Sequence, residues 1–146
     1  MSWENIKHHF EGDQIDLIDV HFKGLTEVSM KKFFPWAKER LISVENQHGK
    51  MELDEFQLGP FLAEETSYSI GLQMTEKYDL SLLMIDLKDM TISMEKGELN
   101  SEELFKEFLV HIKAVAEAMD CTDYIVCPEF KLEEAFVVNG MVENWG

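Results

Sequence analysis

Leu104, Phe105, Phe108, Leu109, Ile112, Val115, Ala116 and Met119 fall on one face of an α-helical repeat with polar residues opposite, so this stretch predicts an amphipathic helix about four turns long. Asn100, with Glu103 three residues on, reads as its N-cap and a partial capping box. Tyr124 to Cys127 follows as a short β-prone run, and Pro128 closes it because proline cannot extend a central ladder. Leu132, Ala135 and Phe136 return to helical spacing, with Asn139-Gly140 as a left-handed C-cap. Earlier in the chain, Ile15, Leu17, Val20 and Phe22 alternate imperfectly with acids, which fits a strand with a slip or a short helix. Glu27 to Ser43 is spaced as a helix through Val28, Met30, Phe33, Phe34, Ala37, Leu41 and Ile42, and Pro35 starts or kinks it. Asn46 to Lys50 is a polar turn, and Leu53 to Leu62 a short helix broken by Gly59-Pro60. Three β-prone stretches, Tyr68–Met74, Leu80–Leu87 and Met90–Met94, are separated by links short enough for an antiparallel meander.

This order predicts an α+β fold in one domain spanning residues 1–146, with a central, mostly antiparallel sheet flanked by helices. The length suits a single compact domain that buries roughly two thirds of its unfolded surface. Apolar residues make up 45% of the chain, enough for a globular core, so disorder is not expected despite the charge. That charge is −16, from 29 acidic and 13 basic side chains. It disfavours DNA or RNA as a direct ligand, because binders of phosphate backbones work by neutralising them with Lys and Arg. The same field attracts a protein with a basic surface, and can imitate a phosphate backbone toward one. No apolar run reaches membrane-spanning length and the start, Met1-Ser2-Trp3-Glu4, lacks a signal pattern, so a cytoplasmic protein without a membrane partner is expected. Cys121 and Cys127 match neither a redox pair nor a four-ligand zinc pattern and read as reduced packing residues.

The segment Phe108 to Cys121, then Tyr124 to Cys127, then Leu132 to Met141 resembles the GNAT acetyltransferase superfamily. The first looks like the family's helix ending in Ala-x-x-x-Gly-Cys, the second like its diverging strand, and the third like its final helix and glycine close. Similarity extends more weakly back to Phe34-Pro35-Trp36, in the manner of small GNAT-like proteins of bacteriophage genomes, which implies a host cytoplasm for the protein. Members of the family hold the pyrophosphate of acetyl-coenzyme A on backbone N–H groups at the start of the long helix, with a loop of the form Arg/Gln-x-x-Gly-x-Gly/Ala. The physical basis is a nest of donors and a helix dipole meeting anionic phosphates. Here the corresponding segment, Glu95 to Glu103, keeps one glycine, Gly97, and carries Glu95, Glu98, Glu102 and Glu103 where phosphates would lie. Phe136 stands where the family often keeps a tyrosine, and the family's last hairpin is expected to be truncated at Gly146. The resemblance therefore implies a GNAT-like scaffold without its cofactor.

Other chemistry is thinly signalled. His8, His9 and His21, with Asp16 or Asp19, hold donor atoms for a metal, but adjacent histidines diverge in regular structure, so no metal site is expected. His111 sits at the edge of the apolar helix face and reads as a packing residue. The pairs Glu64-Glu65, Glu102-Glu103 and Glu133-Glu134 read as solvated faces, and Ser67, Ser69 and Ser81 lack a nucleophile elbow. Trp36 belongs to a helix core, whereas Trp3 and Trp145 either dock on the domain itself or anchor a partner or a second copy, making a homodimer possible. The nine methionines fall mostly at core-periodic positions. Two functions remain. One is a non-catalytic acidic interaction protein in which Glu95, Glu98, Glu102 and Glu103 engage a basic or nucleic-acid-binding protein, with no cofactor; an immunity-type partner of a toxin shares its physics. The other is a divergent N-acyltransferase in which Gly97, Asn100 and Ser101 hold acetyl-coenzyme A.

Overall fold

The computed structural model describes residues 3–142. The acid-interrupted stretch near the start is a strand, β1 (Leu17–Lys23), with Ile18, Val20 and Phe22 buried on one side and Leu17, Asp19, His21 and Lys23 on the other. The slip in its pattern comes from Ile15, which precedes the strand and is exposed. Two 3-10 turns, Trp3–Asn5 and Lys7–Phe10, lead into it.

α1 (Glu27–Lys38) starts on a reciprocal capping box: Thr26 Oγ1 accepts from Ser29 N–H, and Ser29 Oγ accepts from Thr26 N–H. Pro35 neither starts nor ends this helix. It lies in the last turns of one already formed, and the helix stops three residues later. Arg40 closes that end by donating from Nη1 to Trp36 O at 2.9 Å, with its guanidinium 4.2 Å from the Trp36 ring centroid. Leu41 and Ile42, expected to continue the helix, instead enter β2 (Leu41–Asn46), because Leu41 and Ser43 pair with a later strand and Ile42 lies at the register shift between them. β3 (Gly49–Lys50) turns back on β2, and α2 (Leu58–Leu62) is a single short helix.

The predicted meander is present as β4 (Tyr68–Thr75), β5 (Tyr78–Asp86) and β6 (Asp89–Glu95), each antiparallel to the next. The long helix, α3 (Glu102–Ala118), is also present. Its N-cap is Ser101, whose Oγ accepts from Leu104 N–H at 3.1 Å; the side chain of Asn100 is turned away to Gln14. β7 (Asp123–Pro128) follows. The helix expected over Leu132–Val138 is instead a 3-10 turn, Leu132–Glu134, and a two-residue strand, β8 (Val137–Val138). Asn139-Gly140 is then a hairpin turn to β9 (Met141–Val142), with φ +53 and +82 at its two residues, rather than a helix cap.

Among the described residues the strands make one sheet in the order β3-β2-β4-β5-β6-β1-β7-β8-β9, with every pairing antiparallel. The α+β expectation holds. One face is packed: Ile18, Val20 and Phe22 of β1 join Ile70, Leu82, Met84, Ile92 and Val126 in a continuous core with Phe33 and Phe34 of α1, Phe61 of α2, and Phe108, Ile112 and Val115 of α3. At one end Phe34 stacks on Phe56 (centroids 4.4 Å apart) beside Phe61 and Tyr68. At the other, Trp3 stacks on Phe10 at 5.1 Å, and Phe10 meets Phe105 and Phe136 edge-on. Trp3 thus docks on the chain's own core, and Trp145 lies outside the described residues. No helix among the described residues is long and apolar enough to cross a membrane.

Candidate interaction face

The resemblance to GNAT proteins implies a strand diverging from the sheet beside Glu95–Asn100. β7 instead pairs with β1 over six positions, and β1 pairs on its other edge with β6, so β1 fills the place where a cleft would open. The ladder even continues past the end of β6. Lys96 N–H donates to Asp16 O at 2.8 Å, and Gly97 N–H donates to Gln14 O at 3.0 Å. Asn100 Nδ2 donates to Gln14 Oε1 at 2.9 Å, Ser101 N–H donates to Leu99 O, and Ser101 Oγ caps α3. The three residues that would hold acetyl-coenzyme A therefore have these groups engaged within the chain.

The four glutamates are spread over three elements at this entry. Glu95 ends β6, Glu98 sits in the 3-10 turn Lys96–Glu98, and Glu102 and Glu103 occupy the first turn of α3, where their charge meets the positive end of the helix dipole. Glu102 lies 3.3 Å from Lys106 Nζ in an exposed pair that adds little stability. Lys96, the basic residue in their midst, donates to Glu11 O at 3.1 Å. Glu95 also belongs to the second face of the sheet, since it shares the side of β6 that carries Thr91 and Ser93.

That second face has no helix over it among the described residues. Ser43, Ser69, Ser81 and Ser93 are exposed along it, with Leu83 and Ile85 of β5 44% and 40% exposed. From β1 onward it is covered in part, where the 129–136 connection folds back from β7 and Asp19 of β1 is buried. Ile125 and Cys127 are buried there, apart from the main core. Phe130, at φ +62, and Leu132 project from this connection, which is anchored by Glu129 N–H to Leu17 O and Phe136 N–H to Val126 O. The helical spacing of Leu132 and Phe136 was a coincidence of two opposite directions, since Leu132 is half exposed and Phe136 is in the core. A groove of about 490 Å³ lies between this connection and the centre of the sheet.

Both cysteines are free and buried. Burial pushes the Cys127 thiol up to about 11, with the Asp19 and Glu133 carboxylates adding to the effect; burial likewise raises Cys121. The histidines are dispersed. His9 stacks on Phe136 on the helical side, with the His8 ring tilted against it, whereas His21 lies on the open face, 3.5 Å from Thr91 Oγ1 through Nδ1. No three metal-ligating side chains cluster among the described residues.

His111, 9% exposed on α3, stacks on Tyr78 with centroids 4.0 Å apart. Burial lowers the imidazole pKa below its ordinary 6.5, only partly offset by Glu107, while burial raises the Tyr78 phenol to about 12. The unfolded chain then binds a proton at this site more readily than the folded one, so stability is complete above about pH 6.5 and falls as pH drops toward the folded value. Urea midpoints at pH 7.5 and 5.5 check this: His111→Gln is expected to lose less stability between the two than the unaltered chain.

No protein-family model matches the chain, and no curated protein matches it. It is similar to a chain of the crystal structure of the toxic C-terminal tip of CdiA from Pseudomonas aeruginosa in complex with immune protein, at 15% identity over 90% of this chain and 99% of that one, with a TM-score of 0.49.

Proposed function

We propose that this chain is a non-catalytic acidic interaction protein that binds a partner with a basic surface through the uncovered face of its sheet and the adjoining glutamates at the start of α3. The observation that carries this is the open part of that face: a sheet packed by three helices on one side and, among the described residues, left without a helix on the other, with exposed Leu83 and Ile85, in a chain of net charge −16. The engaged state of Gly97 N–H, Asn100 and Ser101 supports the absence of a cofactor, because a phosphate would have to displace bonds the fold already uses. Blocking a basic or nucleic-acid-binding protein is the effect that such a surface favours, and an immunity-type role toward a basic toxin is one instance.

The test is capture from an extract of the source cells by the immobilised chain. A basic partner is expected, released at high salt and lost when Glu95, Glu98, Glu102 and Glu103 are changed together to lysine, with binding weakened at least about tenfold by the loss of steering and complementarity. Capture that survives both treatments, or no partner at all, counts against the reading. Acetyl-coenzyme A titrated to millimolar concentration in a calorimeter is expected to give no binding heat. A saturable isotherm would favour the divergent N-acyltransferase instead.

A further inference from the structure

We propose that the groove over Asp19 receives one arginine side chain of the partner protein, an inference that rests on the interaction reading above and gives it a specificity point. Asp19 sits within β1, a strand paired on both edges, and is 6% exposed, yet it is an acid. Its Oδ1 accepts from Ser93 Oγ at 2.7 Å. A carboxylate offers about four acceptor positions, and among the described residues no other hydrogen bond and no salt-bridged cation reaches this one. Asp19 lines the groove, between the rungs Leu17–Glu95 and His21–Thr91, so its remaining acceptor positions open toward it. A cationic donor arriving from outside can take the place of water there.

The walls select which cation. Phe130 is 89% exposed and holds a left-handed φ of +62, a conformation that non-glycine residues rarely adopt, so both its backbone and its ring stand in an unfavourable state. A planar guanidinium stacked on that ring uses its face, as Arg40 already does with Trp36 elsewhere in this chain. Leu83 and Leu132, about half exposed on the two sides of the groove, match the aliphatic stem. Asp19 and Glu133 line the same groove and supply the negative charge that a cation meets there. Arginine fits this combination better than lysine because it is planar, less strongly hydrated, and forks onto two carboxylate oxygens. A second copy of the chain cannot supply the residue. Its sequence holds one arginine, Arg40, which is stacked on Trp36 and bonded to Trp36 O, and two copies would also bring −16 against −16.

Nuclear magnetic resonance titration of the isotope-labelled chain with the peptide acetyl-Ala-Arg-Ala-amide at low salt tests this directly. Saturable shifts confined to His21, Thr91, Ser93 and Phe130 are expected, with the lysine and citrulline peptides binding at least about tenfold more weakly. Asp19→Asn and Phe130→Ala are each expected to weaken the arginine peptide by about the same factor; the Phe130 ring is exposed, so its removal leaves the spectrum of a folded chain. Scattered or unsaturable shifts, equal binding of citrulline or lysine, or indifference to both substitutions would overturn the proposal. If the peptide fails while a basic partner is still captured and released by the glutamate reversals, the groove inference alone falls. If no basic partner is captured, the interaction reading falls whatever the peptide does.

Discussion

Val20→Asp is expected to abolish cooperative folding at neutral pH. Val20 is fully buried in β1, with Ile92 of β6 on one side and Val126 of β7 on the other, and it faces the helix-covered core. An ionised carboxylate in such a place has neither water nor a cation, and its cost of more than about 5 kcal/mol consumes most or all of the stability of an ordinary domain, about 5–15 kcal/mol. Circular dichroism on heating should show no sharp transition. Val28→Asp, at a position 71% exposed in the first turn of α1, should melt within about 2 °C of the unaltered chain. A normal melt for Val20→Asp would mean that β1 is not the central strand.

Phe34→Ala is expected to lower stability by about 3–5 kcal/mol and the melting temperature by roughly 10–20 °C. Phe34 is 2% exposed and lies against Phe33, Phe56, Phe61 and Tyr68. Tyr68 in turn donates from Oη to Gln57 O at 3.0 Å, and Gln57 N–H donates back to that oxygen. Removing the ring therefore opens a cavity and loosens the connection between β3 and β4 together. Chemical denaturation should show a lower midpoint with little change in slope; a loss below about 1 kcal/mol would mean that the cluster collapses to fill the space.

The parts of the fold that could be read from the sequence are those decided within a few residues. α3 and the β4–β6 meander were legible because one has a helical apolar stripe and the others are β-prone runs bounded by tight links. The errors fall where distant pairing outvotes local spacing. Leu41 and Ile42 continue a helical pattern but answer to β4, and Phe136 continues one but bonds through its N–H to Val126 O. Asn139-Gly140 carries the strongest short hairpin signal in the chain, and it was masked by that same false periodicity. The acidic entry at Glu95–Glu103 was legible because it is a local run of charge. The Asp19 groove was not, since it needs β6, β1 and β7 side by side, and the one trace in the sequence is an acid set among Ile18, Val20 and Phe22.

The central place of β1 also governs when the chain can become a structure at all. This strand leaves the ribosome ahead of everything it pairs with: Ser93 lies 74 residues after its partner Asp19, and Cys127 follows later still. Until β6 and β7 have been made, β1 has two open edges and a row of bare Ile18, Val20 and Phe22. Contacts of such long sequence separation slow folding and leave apolar strand surface open to other chains. Asp19 and His21 between those apolar residues, and the heavy negative charge of the whole chain, keep neighbouring nascent copies apart during that interval.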